Sequence, residues 1–273
     1  MRFTTVRTPN GTRAARVDGD DLVMLDHADV GELLRSGDDG SGGRETISRH
    51  DADLAPLVTR PSKIVCVGVN YRDHIEEMGR DVPDAPTYFA KFPRALIGAR
   101  DPIALPDPAR STSIDWEAEL AVVIGSEIRD ATPSSALAAI AGYSVLNDVS
   151  VRDYQRRTLQ FLAGKTWEGM TPLGPELVTR DEIGDGSGLA IRCEVDGVVK
   201  QESNTSELVF NAVDIVTDLS AIITLEPGDV IATGTPGGVG AARTPPEFMG
   251  PGTVLRTEIE GVGVCENVCR RRG

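Results

Sequence analysis

Glu117 and Glu119 are one residue apart at the head of an apolar run, Asp115-Trp116-Glu117-Ala118-Glu119-Leu120-Ala121-Val122-Val123-Ile124. Alternate residues of a strand share a face, so both carboxylates point the same way. Like charges at that spacing repel, and a hard divalent cation offsets the repulsion well. Two solvated glutamates at a strand edge are the plainer alternative for this pair alone. A third carboxylate, Asp148, follows a second apolar run, Gly142-Tyr143-Ser144-Val145-Leu146-Asn147. Taken singly, it reads equally as a cap for a helix starting near Arg152. An all-oxygen set suits Mg²⁺ or Mn²⁺, whereas zinc prefers His and Cys.

His74 is the one histidine next to a buried-strand pattern; His27 and His50 lie in polar, loop-like stretches. In Asn70-Tyr71-Arg72-Asp73-His74-Ile75-Glu76-Glu77, a helix places His74 and Glu77 at i and i+3, within contact. An imidazole oriented by a carboxylate is a general-base pair; a surface ion pair is the alternative. Gly164-Lys165-Thr166 invites a phosphate-loop reading. That motif also needs glycine at 159, where this chain has Leu159, so nucleotide binding is rejected. Thr233-Gly234-Thr235-Pro236-Gly237-Gly238-Val239-Gly240 follows a strand. Its glycines let backbone N–H groups approach a ligand closely. It reads as a carboxylate-binding turn or as an ordinary tight loop.

The elements that must carry these groups are mostly strands. Asn10-Gly11 and Asp18-Gly19 are hairpin turn signals, with strand-like pieces at 3–7, 14–17 and 22–25. A short helix fits Val30–Arg35, and the polar stretch Ser36–Gly43 reads as a flexible loop. A domain boundary is placed at 44–62, giving a small β-rich unit over 1–60 and a catalytic unit over 61–273. Further strands are read at 63–69, 120–124, 141–149, 191–195, 229–233, 254–259 and 262–268. The clearest helix is Glu207–Thr224, where Leu208, Ala212, Ile215, Leu219 and Ile222 form a stripe. Strands outnumber helices without regular alternation, which argues for α+β and against Rossmann or TIM patterns.

Composition bounds the function. The chain has 273 residues, 28 Lys+Arg and 42 Asp+Glu, a net charge of −14. Nucleic-acid binders need a basic footprint, so nucleic acid and anionic membrane surfaces are excluded. No apolar run approaches the roughly 18 residues of a membrane span. The opening Met1-Arg2-Phe3-Thr4-Thr5 has no apolar h-region, so no secretory signal is expected. Cys66, Cys193, Cys265 and Cys269 read as reduced thiols of a cytoplasmic protein.

The ordered set NYRDH, DWEAELAVVIG, LNDVSVRDYQRR, AGK and TGTPGGVG resembles the fumarylacetoacetate hydrolase family over about residues 62–273. The resemblance is to bacterial members acting on 2-oxo or 2-hydroxydienoic acids. No motif position departs from the family pattern, and the N-terminal part resembles the small leading domain of longer members. The resemblance implies a β-rich mixed-sheet roll, a homodimer and one Mg²⁺ or Mn²⁺ held by Glu117, Glu119 and Asp148. It implies catalytic roles for Lys165 and for a His74–Glu77 dyad on a lid. It implies that Arg152, Gln155 and Thr235 contact a small anionic 2-oxo acid.

The expected reaction is C–C cleavage of a 2,4-dioxo acid of the acylpyruvate or fumarylpyruvate type. The metal would act as a Lewis acid on the enolate, His74 with Glu77 would activate water, and Lys165 would face the developing oxyanion. The alternatives on the same site are a 2-hydroxyhepta-2,4-diene-1,7-dioate-type isomerase and an oxaloacetate-type decarboxylase. Met78–Pro86, polar and interrupted by proline, is expected to close over the site.

Overall fold

The computed structural model describes residues 1–79 and 81–272. The fold is α+β and dominated by sheet. The largest sheet has 11 strands. From Arg2–Thr8 to one edge it runs Arg2–Thr8, Thr171–Thr179, Ile140–Asn147, Ala118–Ile124, Val230–Ala232, Ile64–Gly68 and Thr87–Lys91. The sheet is mixed: Val230–Ala232 pairs parallel with Ile64–Gly68, while Ala118–Ile124 and Ile140–Asn147 are antiparallel. A 5-stranded sheet contains Val198–Asn204, Ala190–Val195, Val254–Ile259, Gly263–Arg271 and Ile103–Leu105.

Ala118–Ile124 is buried at every position. Leu120, Val122 and Ile124 enter one core cluster, while Ala121 and Val123 enter another. A strand covered on both faces reads as a continuous apolar run rather than an alternating one. The alternation survives in the geometry: Glu117 and Glu119 lie on the Ala121–Val123 side. Pairing Ala118 with Asn147 then sets Asp148 beside Glu117, and the Asp148 N–H donates to the Glu117 carbonyl at 2.8 Å.

Both hairpin signals form turns: Gly11 pairs with Thr8, and Asp18 with Asp21. Residues 1–60 supply the Arg2–Thr8, Gly11–Asp18, Asp21–Met24 and Thr46–Ser48 strands at one end of the large sheet. Phe3, Leu33 and Leu57 share a core cluster with Ala121 and Leu146.

The helix read over Glu207–Thr224 is shorter and spans Ala212–Ile222. Asn211 accepts from the Val213 and Asp214 N–H groups, and the Asp214 side chain reaches back to the Asn211 N–H. This capping box starts the helix later than the apolar spacing suggests. Leu208 stays buried ahead of the cap, and Ile222 at the last turn is 63% exposed. Among the described residues, no helix is long and apolar enough to cross a membrane.

Candidate active site

The carboxylates of Glu117, Glu119 and Asp148 are buried, and one oxygen from each lies within 4.8 Å of the others. Sheet pairing brings them together, and buried polar side chains hold the junction. Asn147 Oδ1 accepts the Glu117 N–H at 3.0 Å, and its Nδ2 donates to Thr257 Oγ1 at 2.9 Å. Gln201 Oε1 accepts the Ala118 N–H at 2.9 Å.

The three carboxylates differ in counter-charge. Lys165 Nζ donates to Glu117 Oε2 at 2.5 Å and to Asp148 Oδ2 at 2.8 Å. Arg152 Nη1 lies 2.6 Å from Glu117 Oε1. Lys91, fully buried, pairs with the other Asp148 oxygen. Glu119 has no cationic partner among the described residues; its Oε2 accepts the Gly234 N–H at 2.7 Å. Burial alone would raise the Glu117 pKa, but Lys165 and Arg152 outweigh it and hold the carboxyl at about 2. Burial, then Asp148 and Glu117, push the Glu119 carboxyl well above the usual range. Burial opposes the Lys165 charge, yet Asp148 and Glu117 more than offset that and raise its pKa. Lys165 therefore remains an ammonium at neutral pH.

This donor set fits a divalent metal. All three ligands are oxygen, as Mg²⁺ and Mn²⁺ require. The third carboxylate also lacks a countercharge that a cation would supply.

The dyad lies on the helix Arg72–Glu77. His74 Nδ1 is 3.0 Å from Glu77 Oε2, and Glu77 Oε1 accepts the Gly238 N–H at 3.1 Å. Partial burial would raise the Glu77 pKa, but His74 and Gly238 bring it below the usual value. An ionised Glu77 assigns the Nδ1 proton to the pair and leaves Nε2 as the basic nitrogen. Asn70 anchors the entry to this helix: its side chain bonds the backbone of Phe210 and of Thr233.

Arg152 Nε donates to Asp115 Oδ2 at 2.7 Å, and Nη1 to Gln155 Oε1 at 2.9 Å. Its Nη2 is buried without a partner among the described residues. Thr235 Oγ1 accepts from Gln201 Nε2 at 2.8 Å, which leaves its own O–H to donate. His74, Glu77, Glu117, Glu119, Arg152, Gln155, Lys165 and Thr235 all line one cavity of about 770 Å³. Met78 lines it too; within the expected lid, Arg80 lies outside the described residues.

The glycine loop serves the protein's own acids. N–H groups of Gly234, Gly238 and Gly240 donate to Glu119, Glu77 and Asp115. A Cβ on Gly238, at φ +96°, would lie 2.1 Å from the Lys200 carbonyl oxygen. Gly164 has a packing role: a Cβ there would approach Gln155 within 2.4 Å.

Sequence reading passed over Lys91 and gave Asp115 no role. Lys91 stands in Tyr88-Phe89-Ala90-Lys91-Phe92, a lone charge in an apolar strand, and that was its only signal. Asp115 opens the E-x-E segment itself. It accepts from Arg152, Gly240 and Ala241, so it sets how Arg152 meets Glu117.

The family model described as the fumarylacetoacetate (FAA) hydrolase C-terminal domain matches residues 63–270. The chain belongs to this family. Among its relatives, a Bos taurus protein named oxaloacetate tautomerase FAHD2A, mitochondrial, is 48% identical over 216 residues, 78% of this chain and 68% of the relative. Two solved structures similar to this family member come from bacteria. A fumarylacetoacetate hydrolase from Exiguobacterium antarcticum superposes with a TM-score of 0.90 at 32% identity, covering 100% of both chains. A 2-hydroxyhepta-2,4-diene-1,7-dioate isomerase from Mycobacterium marinum gives 0.83 at 32% identity, covering 100% of this chain and 99% of that one.

Proposed function

We propose that this chain is a divalent-metal-dependent enzyme of short anionic 2-oxo acids, and that it interconverts the enol and keto forms of an oxaloacetate-type acid. The observation that carries the reading is His74, held by Glu77 and lining the same cavity as Glu117 and Glu119. The similarity to a protein named an oxaloacetate tautomerase ranks tautomerisation above cleavage. Glu117, Glu119 and Asp148 would hold a Mg²⁺ or Mn²⁺, which would supply Lewis-acid stabilisation of negative charge on the C2 oxygen.

The rest falls to the chain's own groups. In going from enol to keto, C3 gains a proton and the C2 hydroxyl loses one. His74 Nε2 takes up the proton lost by the C2 hydroxyl and, as imidazolium, gives one to C3, while Glu77 keeps Nδ1–H in place. Arg152 Nη2 and the Thr235 O–H are donors for the substrate carboxylate. Lys165 keeps positive charge beside the reacting oxygens, and it makes the pocket locally attractive to an anion despite the net charge of −14.

Hydrolysis of an acylpyruvate, placed first on sequence, is the second reading. It is favoured by the likeness to a fumarylacetoacetate hydrolase over the whole chain. There His74 would act on water rather than on C3. The test is turnover with Mg²⁺ or Mn²⁺ of enol oxaloacetate, followed by loss of enol absorbance, and of acylpyruvates, followed by NMR of the products. Accelerated ketonisation without C–C cleavage is expected. Cleavage as the faster reaction sinks the tautomerase reading.

A homodimer belongs to the same proposal. Phe92, Leu159 and Leu162 are exposed apolar residues that a second copy could cover. Light scattering at ~29 kDa in micromolar solution would count against it. Four free, buried cysteines suit a reducing compartment, which both the cytosol and the mitochondrial matrix provide.

A further inference from the structure

We infer that Arg156 binds the remote carboxylate of a dicarboxylic 2-oxo acid and thereby sets a preference for diacids. This rests on the 2-oxo-acid reading of the site and goes beyond it by assigning the residue that reads the second carboxylate. Arg156 lines the same cavity as Glu117, Glu119 and Lys165. The other cations there are already engaged by protein acids: Lys165 by Glu117 and Asp148, Arg152 by Asp115 and Glu117. The Arg156 guanidinium has no hydrogen bond or ion pair with any described residue; only its backbone N–H is used, donating to the Arg152 carbonyl at 3.1 Å. Its neighbour Arg157 stacks 3.3 Å over the Tyr154 ring, so the two arginines have different environments.

The local helix explains where Arg156 sits. Arg152–Gln155 is helical, and Arg156 continues it at φ −87°, ψ −1°. Arg152 and Arg156 are therefore i and i+4 on one helical face, about 5–6 Å apart at Cβ. Like charges so placed repel, and an anion between or beyond them relieves that repulsion. Arg152 is buried and reaches Glu117, whereas Arg156 is exposed, one turn further out. A 2-oxo acid whose reacting end lies by the carboxylate triad thus meets a free guanidinium with its far end. That step is the scale of a short diacid. A neutral or apolar tail would leave Arg156 unanswered.

The test compares 2-oxoglutarate with 2-oxopentanoate, which have the same chain length and differ at the terminal carboxylate. Binding is measured by calorimetry to the Mn²⁺-loaded protein. Wild type is expected to bind the diacid at least about fivefold more tightly, as a partly exposed charge-assisted pair allows. Raising the salt concentration should shrink the preference. Arg156→Gln should bring the two acids within about twofold while leaving 2-oxopentanoate unchanged, and Arg156→Glu should make the diacid the weaker ligand. Arg156 is exposed, so both variants should fold. Equal binding of the two acids by wild type overturns the inference alone, as does a diacid preference that survives in either variant. Failure of both acids to bind wild type overturns the 2-oxo-acid reading and the inference with it.

Discussion

Lys91 and Asp148, 57 residues apart in sequence, meet as an ion pair with no solvent exposure on either side chain. Lys165 takes the other Asp148 oxygen and one oxygen of Glu117. Two carboxylates of the triad are thus charge-balanced by the chain itself, and Glu119 is not. This asymmetry, rather than the presence of three acids, would govern how the site took up a cation.

Glu119→Gln should abolish metal binding yet stabilise the metal-free protein. The Glu119 carboxyl is raised in the fold, so the folded state keeps a proton that the unfolded chain releases near its ordinary 4.5. Its contribution to stability is complete below that value and is lost as pH rises towards the folded pKa. The variant should therefore gain most over the metal-free wild type at neutral and higher pH. Wild-type metal affinity should rise with pH and release a proton on binding. Thermal melts against pH, with calorimetry in two buffers of different ionisation enthalpy, measure both. Unaltered Mn²⁺ affinity in the variant would remove Glu119 from the ligand set.

Lys91→Met should destabilise the metal-free protein by about 3 kcal/mol, because Asp148 loses one of two buried cationic partners. Saturating Mn²⁺ should narrow the deficit, since a ligand bound to the folded state restores positive charge beside Asp148. Urea unfolding with and without Mn²⁺ reads the two effects. Equal deficits in both conditions would separate Lys91 from the metal site.

His74→Ala should lower ketonisation of enol oxaloacetate by ~10²–10⁴ in rate at saturating Mg²⁺. Metal affinity should be unchanged, since His74 touches none of the three carboxylates through a hydrogen bond. The same variant assayed on an acylpyruvate tests the second reading. If neither reaction slows, His74 is not the base.

Trp116→Phe should slow turnover by about fivefold, the order expected for one lost hydrogen bond of ~1 kcal/mol. The indole N–H donates to the Gly238 carbonyl at 3.2 Å, and the Gly238 N–H holds Glu77. The pH profile should shift while metal affinity stays constant, because the change reaches the dyad rather than the ligands. A matching loss of Mn²⁺ affinity would point to displacement of Glu117 instead.

What sequence determined by itself is local. The one-residue gap between Glu117 and Glu119 puts both on a common strand face, and the three-position spacing of His74 and Glu77 lets them touch on one helical turn. Asn10-Gly11 and Asp18-Gly19 turn the chain wherever they occur, because glycine tolerates the left-handed backbone. Family membership was legible in the order of five short motifs. Tertiary structure decided which partners those local pieces met. Register between Ala118 and Asn147 placed Asp148 beside Glu117. Packing brought Lys91 to Asp148, and the glycine loop to Glu119, Glu77 and Asp115. A lone lysine in an apolar strand looks the same on an exposed edge as in a buried ion pair. Only the neighbouring strands distinguish the two, since the desolvation of a charge and its compensation depend on atoms far away in sequence. The Ala212–Ile222 helix shows the same division: apolar spacing located it, while the Asn211 cap and the extended backbone at Ile223 set its ends.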